Sequence, residues 1–464
     1  MTPITSFVGK KVAVFGMGAS GRISAAALAA GGATVVVWDD HRNARNKAAA
    51  MGLKLEDLVI GDLSGFDSLV LAPGVPLTHP SPHWIVAKAR QASVEIIGDI
   101  ELFCRERAKL APKSLFVAIT GTNGKSTTTA LVAHLYRSFG YEAEVGGNIG
   151  TPILALAPPG PGRVHVVECS SFQIDLAPSL NASYGVLLNV TPDHLDRHGN
   201  MQNYAAIKER LVVQADHAVV CLDDAISADI AERLQKAGRP ITFVSISKPA
   251  IVDGIVLEGT RLVRRTSGRS SAIADLAGVA SLRGRHNGQN AAAAVAALGA
   301  HGFEVDTVQK GLASFPGLPH RLEEVGRRGK VLYINDSKAT NADAAEKALL
   351  SLADIYWIVG GRAKQGGIEP LKPHFAKIVK AYLVGEAAEA FARTIGEAIP
   401  YEFCGTLDKA VDAATRDAEK SMTQNPIVLL SPACASFDQF ADFEKRGDKF
   451  RELALAKIAA PPQV

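Results

Sequence analysis

Short apolar runs alternate with amphipathic stretches along the chain. KVAVFG (11–16), a helical stretch over 20–30 and ATVVVWDD (33–40) predict a β-α-β unit, which DSLVLAPG (67–74) and VEIIGD (94–99) extend. This block ends near residue 104, and the polar RERAKLAPKS (105–114) reads as a linker. SLFVAIT (114–120), VHVVECSS (164–171), YGVLLNVTPDH (184–194) and HAVVCLDD (217–224) predict strands of a second block. Residues 241–283 have the short β-rich pieces of a meander, and the alanine-rich stretch from Asn290 reads as a core helix. KVLYINDS (330–337), DIYWIVGG (354–361), KAYLVGE (380–386) and PIVLLSP (426–432) predict the strands of a third block. Apolar runs of this kind suit parallel strands covered by helices on both faces. The expectation is an α/β protein of three domains, over 1–104, 105–317 and 318–464.

Composition narrows the class. Apolar residues make up 47% and charged residues 21% of 464, the balance of a soluble globular chain. The net charge of +3 comes with no basic run, so nucleic acid is not an expected partner. Five dispersed cysteines form no C-x-x-C pair, which argues against a zinc site or a disulfide framework and fits a reducing compartment. The start, MTPITSFVGKKVAVFGMG, runs into the first strand without signal-peptide architecture, and NAAAAVAALGAHG (290–302) is too short to span a bilayer. A cytoplasmic protein without membrane insertion is expected.

Two glycine clusters carry the first chemistry. FGMGASG (15–21) places Gly16, Gly18 and Gly21 between a strand and a helix, with Asp39 at the end of the next strand. That is a dinucleotide-binding fingerprint, and a nicotinamide dehydrogenase is one reading of it. TGTNGKS (120–126) also sits between a strand and a helix, but its spacing is shorter than G-x-x-x-x-G-K-[ST]. The physics survives the shortening, because a phosphate cradle needs successive N–H groups rather than a fixed count. Lys125 is then expected to neutralise the β- and γ-phosphates, Ser126 to bind Mg²⁺ and Thr127 to add contacts. Glu168, at a strand end, is the candidate metal carboxylate, and His194, at the end of the next strand, a candidate second ligand. Lys208 in YAAIKERL (204–211) reads on its own as a solvated helix lysine.

The motifs TGTNGKS, ECSSFQ, NVTPDHLD, HNGQN, LPHR, NDSKATN and LSPACASFDQF stand in one order along nearly the whole chain. In this they resemble the Mur ligases, ATP-dependent amide ligases of cell-wall precursor assembly. The resemblance implies a Rossmann-like N-terminal domain, a central P-loop ATPase domain with a parallel sheet and a small β portion, and a Rossmann-like C-terminal domain. It implies ATP phosphates held by Gly121, Thr122, Asn123, Gly124, Lys125, Ser126 and Thr127, with Asn290, Arg321 and Asp336 holding the rest of the nucleotide. Two Mg²⁺ would bind through Ser126, Glu168, His194 and Lys208, the lysine carbamylated. Lys125, Glu168, His194 and Lys208 would be the catalytic residues.

With GDIELF (98–103), NDSKATN and SPACASFDQF, the implied substrates are UDP-N-acetylmuramoyl-L-alanine and D-glutamate. The uridine nucleotide would lie near Ala19, Ser20 and Asp39, with Asn148 near the metals. D-Glutamate would be held by Lys338, Thr340, Lys364, Ser436 and Phe437, with Phe443 alongside. Asp40-His41 and Arg362 depart from the family pattern, a Thr-Arg pair and an acidic residue being expected there. A monomer is expected. The alternatives are a sister ligase or folylpolyglutamate synthetase-like enzyme adding another amino acid, the dehydrogenase, and a non-catalytic UDP-sugar-binding protein.

Overall fold

The computed structural model describes residues 1–247, 253–299, 304–364 and 366–460. The chain is a mixed α/β protein with three sheets, divided into two compact units. Met1–Ala277 with Asn287–Phe315 form the first, and Gly278–His286 with Pro316–Val464 the second.

The first unit holds two sheets. Strands β1 (Lys11–Phe15), β2 (Thr34–Trp38), β3 (Ser68–Leu71) and β4 (Glu95–Ile97) pair in parallel in the order β2-β1-β3-β4. The order reverses at β1, so a crevice opens at the ends of β1 and β3, where the first glycine cluster lies. The larger sheet contains β5 (Leu115–Thr120), β6 (Glu142–Gly147), β7 (Arg163–Glu168), β8 (Tyr184–Leu187), β9 (His217–Cys221) and β10 (Ile241–Ser245). It continues through β11 (Gly254–Glu258), β12 (Arg261–Thr266) and β13 (Arg269–Asp275), in the order β13-β12-β11-β10-β9-β8-β5-β7-β6. β6 to β11 are parallel, and β11–β12–β13 run antiparallel, as the meander reading expects. β5 lies between β7 and β8, so the second glycine loop and the strand end bearing Glu168 are neighbours.

One apolar cluster joins Val12, Val14, Ile100 and Phe103 to Phe116, Val167 and Leu187. Phe103 meets Phe116 edge-on at 5.2 Å and the buried His165 at 4.9 Å. The linker expectation for 105–114 is corrected here. Helix Asp99–Leu110 runs through its first half, and Glu106 and Arg107 are buried. Glu106 accepts from Thr5 Oγ1 at 2.6 Å and the Ser6 N–H at 2.7 Å, while Arg107 donates to the carbonyls of Ser114 and Asn181. Their polarity suggested solvent, but each buried charge has fixed partners supplied by distant chain.

The second unit contains β14 (Glu323–Arg328), β15 (Val331–Asn335), β16 (Ile355–Gly360), β17 (Ile378–Val384), β18 (Tyr401–Gly405) and β19 (Ile427–Leu430), in the order β14-β15-β19-β16-β17-β18. All pairs but β14–β15 are parallel. Apolar clusters cover both faces, one around Trp357 and Leu429, the other around Tyr382 and Phe450. The sequence reading missed β6, β14 and β18. All three are edge strands, where charges such as Glu142, Glu324 and Glu402 interrupt the apolar run. The alanine-rich helix is Arg285–Ala296, and residues 300–302 of that stretch lie outside the described residues. No helix among the described residues is long and apolar enough to cross a membrane.

Candidate active site

The second glycine loop is shaped by two positive φ angles, Gly121 at 156° and Gly124 at 84°. Gly124 caps helix Lys125–Ser138, and a Cβ there would lie 2.4 Å from Asn290 Oδ1. The loop thus needs glycine for both its turn and its close approach. Asn290 is buried under it, accepting from Thr128 Oγ1 at 3.2 Å and donating to Asn287 Oδ1 at 3.1 Å. Lys125 Nζ donates to the carbonyls of Gly121 and Thr122 at 2.9 and 2.8 Å, and Ser126 and Thr127 occupy the first helical turn, half-buried.

Glu168 ends β7, 2% exposed. Its Oε1 accepts from Asn148 Nδ2 at 2.8 Å, while its Oε2 is buried with no hydrogen-bond partner among the described residues. A buried carboxylate oxygen without a donor is costly, and a cation is the group that would relieve it.

Lys208 is not the solvated lysine its local sequence suggests. It is 1% exposed, with Nζ donating to Gly121 O at 2.9 Å and Thr120 Oγ1 at 3.3 Å. Burial, reinforced by the Lys125 charge, pulls its ammonium down to about 7. A lysine with so much neutral amine is a nucleophile, which is what carbamylation requires. His194 stands in the left-handed region at φ 51°, half-exposed, 5.1 Å from the Phe172 ring. Among the described residues, no group of three His, Cys, Asp or Glu forms a ready metal cluster. The observation that fits a divalent cation here is the orphaned Glu168 oxygen, a hard oxygen donor whose coordination phosphate oxygens would complete.

At the first glycine cluster, Gly16 has φ 95°, and Ala19 and Ser20 begin helix Ala19–Ala30. Asp39 braces the loop, its Oδ2 accepting from the Met17 N–H at 2.6 Å and its Oδ1 from that of His41 at 2.8 Å. Asp40 accepts from Trp84 Nε1 at 3.2 Å and pairs with His83 at 2.9 Å. Ser20 Oγ donates to Asp99 at 2.6 Å, and Gln173 Nε2 to the same carboxylate at 3.2 Å. Burial raises the pKa of Asp99.

In the second unit, Asp336 is buried at the end of β15, accepting from Ser431 Oγ at 2.8 Å and the Leu322 N–H at 3.2 Å. Burial pushes its carboxyl up to about 7, against the pull of these bonds and of Arg321. Lys338 Nζ sits 3.7 Å over the Phe443 ring, and Thr340 follows on the same loop. Ser436 is buried, whereas Lys364 and Phe437 are exposed. Arg362 forms a two-pronged pair with Glu386 at 3.1 and 3.0 Å, so its charge has a counter-ion. Sequence reasoning overlooked Arg446, a buried guanidinium that fixes Ser337 and the Cys434 carbonyl. It also overlooked Asn189, Asp99 and Gln173, although all three stand inside quoted motifs.

Residues 119–298 match the Mur ligase middle domain, and residues 320–434 match the Mur ligase glutamate ligase domain. The chain belongs to the Mur ligase family. This Mur ligase is 58% identical over 465 residues to the UDP-N-acetylmuramoylalanine–D-glutamate ligase of Nitrobacter hamburgensis, covering 100% of both chains. It is 57% identical to the enzyme of that name from Mesorhizobium japonicum, covering 100% of this chain and 99% of the relative. Its fold is similar to that of the UDP-N-acetylmuramate-alanine ligase of Thermotoga maritima, with a TM-score of 0.59 at 18% identity, over 96% of this chain and 99% of that one. It is likewise similar to a MurF ligase of Thermotoga maritima in complex with ADP, with a TM-score of 0.55 at 15% identity, over 85% of this chain and 89% of that one. A Mur ligase is a ligase, and the dehydrogenase reading of Gly16, Gly18 and Gly21 falls away.

Proposed function

We propose that this Mur ligase joins D-glutamate to UDP-N-acetylmuramoyl-L-alanine at the expense of ATP, in peptidoglycan precursor synthesis. The observation that carries the reading is full-length identity of 57–58% to relatives of that name. The geometry around Gly121, Glu168 and Lys208 supplies the chemistry. The chain acts as a cytoplasmic monomer of three domains, the first boundary falling after helix Asp99–Leu110 rather than at 104 and the second at 317. The first and last domains are Rossmann-like and the central one is a P-loop ATPase with its small β portion.

A carboxylate repels an incoming amine and must be activated. The L-alanyl carboxylate attacks the γ-phosphoryl group of ATP, giving an acyl phosphate and ADP. The amine of D-glutamate then attacks the acyl carbon, and the tetrahedral intermediate collapses to the amide and releases phosphate. The loop from Gly121 to Thr127 cradles the phosphates, and Lys125 turns from its own loop carbonyls to their charge. Asn290, Arg321 and Asp336 hold the remainder of the nucleotide. Mg²⁺, held in two sites by Ser126, Glu168, His194 and carbamylated Lys208, would supply charge neutralisation at the transferring phosphoryl group. Carbamylation turns Lys208 from a buried cation into an anion, which suits it to that cation. Asn148 orients Glu168 and faces the UDP-linked substrate, whose nucleotide lies along Ala19, Ser20 and Asp39. Lys338 and Lys364 select a dicarboxylate amino acid by charge, with Thr340, Ser436, Phe437 and Phe443 shaping its pocket.

Phosphate release, measured with UDP-N-acetylmuramoyl-L-alanine and a panel of D- and L-amino acids, tests the reading. Release is expected with D-glutamate and to depend on both substrates. Release at the same rate without the UDP-linked substrate would overturn the ligase assignment, and preference for another amino acid would make the protein a sister ligase.

A further inference from the structure

The shortened glycine loop is completed by a side chain from elsewhere in the sequence. β5 runs to Thr120, so only Gly121 to Gly124 remain to make the turn before the helix starts at Lys125. A loop this short has few internal hydrogen bonds with which to hold its peptide planes. Asn189, just past the end of β8, supplies them. Its Oδ1 accepts from the N–H of Thr122 at 3.1 Å and of Asn123 at 2.8 Å, and its Nδ2 donates to the Asn123 carbonyl at 3.1 Å. The Thr122 N–H also reaches the Asn189 carbonyl at 2.9 Å. Two residues on, Thr191 receives a hydrogen bond from Thr122 Oγ1 at 3.1 Å and returns one from its N–H at 3.0 Å.

We propose that Asn189 is a positioning residue for the nucleotide, standing in for the residues missing from the loop and fixing the orientation of its Thr122 and Asn123 peptides. It acts on ATP through the loop. The solvent exposure of these bonds separates this role from simple stabilisation. Asn123 is exposed and Asn189 half-buried, so water replaces the lost bonds when Asn189 is removed. The net stability of such bonds is small. Their geometric effect is large, because they hold the Thr122 and Asn123 peptides against Asn189. They so set the direction of the N–H groups that follow, from Gly124 into the first turn of the helix, which are the ones left for the phosphates. Asn189 also leads directly into Asp193 and His194, so one segment sets the loop and carries a proposed metal ligand.

This inference rests on the reading of the loop as an ATP site, and the test keeps the two apart. Binding of the non-hydrolysable analogue AMP-PNP with Mg²⁺ is measured by calorimetry on the wild-type chain, Asn189→Ala and Asn189→Asp, together with KM for each substrate, kcat and thermal midpoint. Asn189→Ala is expected to weaken AMP-PNP binding and raise KM for ATP by about tenfold or more, as the loss of several oriented hydrogen bonds would. KM for UDP-N-acetylmuramoyl-L-alanine should stay within about twofold and the thermal midpoint should barely move. Asn189→Asp keeps both acceptor contacts but cannot donate to Asn123 and places a negative charge beside the phosphates, so its loss should equal or exceed that of the alanine variant. It also serves as the readout if Asn189→Ala does not fold. Unchanged KM for ATP in a folded variant overturns the inference, as does an equal rise in both KM values with a lowered thermal midpoint. If the wild-type chain binds no AMP-PNP, the ATP reading falls first and the inference with it.

Discussion

The Nζ of Lys208 lies 2.9 Å from the carbonyl oxygen of Gly121, joining a buried helix lysine to the loop proposed to hold ATP. Its pKa of about 7, set by burial and by Lys125, makes the neutral amine the major form above neutrality. Uptake of CO₂ should therefore rise as pH rises through about 7, read as a carbamate signal after incubation with ¹³C-bicarbonate. Lys208→Ala should lower kcat by about a hundredfold or more, with partial rescue by short-chain carboxylates, as expected for loss of a group acting at the transferring phosphoryl. An unchanged rate would remove Lys208 from the mechanism.

Gly124→Ala tests the loop itself. The residue sits at φ 84°, and its Cβ would meet Asn290 Oδ1 at 2.4 Å. Positive φ at a non-glycine residue costs about 1–3 kcal/mol, and the collision adds to it. A lowered thermal midpoint and loss of nucleotide binding are expected. Gly124→Ala with Asn290→Ala should recover only the collision part, since the backbone strain persists.

Glu168→Gln keeps the volume and the hydrogen bond from Asn148 but removes the charge from the orphaned Oε2. Without a cation, this variant should be as stable as the wild type or more so, because a buried carboxylate without a partner opposes folding. Its activity should fall by about a hundredfold or more, with a higher Mg²⁺ requirement. Paired thermal melts and Mg²⁺ titrations of rate distinguish this from loss of structure.

Asp336 gives a pH signature. Its carboxyl ionises at about 7 in the folded chain against an ordinary 3.8. Between these values the folded state keeps a proton that the unfolded state releases, so its contribution to stability falls as pH rises from about 4 to 7 and is flat above. Asp336→Asn should abolish that slope. Relative to the wild type, the variant should gain thermal stability at pH 8 compared with pH 5, while losing ATP affinity. A difference independent of pH would contradict the buried-carboxyl account.

The strand-loop-helix context of TGTNGKS was legible because it is local: an apolar run ends, glycines turn and an amphipathic helix begins. The same holds for the parallel strands of both units, whose apolar runs reflect burial on two faces. Edge strands β6, β14 and β18 were hidden because solvent on one side lets charges break the pattern. Arg107 and Glu106 were misread because polarity does not reveal that a partner such as Asn181 or Thr5 waits far away in sequence.

By itself the sequence determined the order of the motifs, the family they belong to and the residue types at each strand end, since these depend on neighbours in the chain. Only the tertiary structure decided that Lys208 is buried against Gly121, 87 positions away, and that Asn189 completes a loop 66 positions before it. It also decided that Glu168 keeps one buried oxygen without a donor. The reason is physical: a pKa, an orphaned acceptor or a borrowed hydrogen bond is set by what surrounds a group in space, and no periodicity along the chain encodes it.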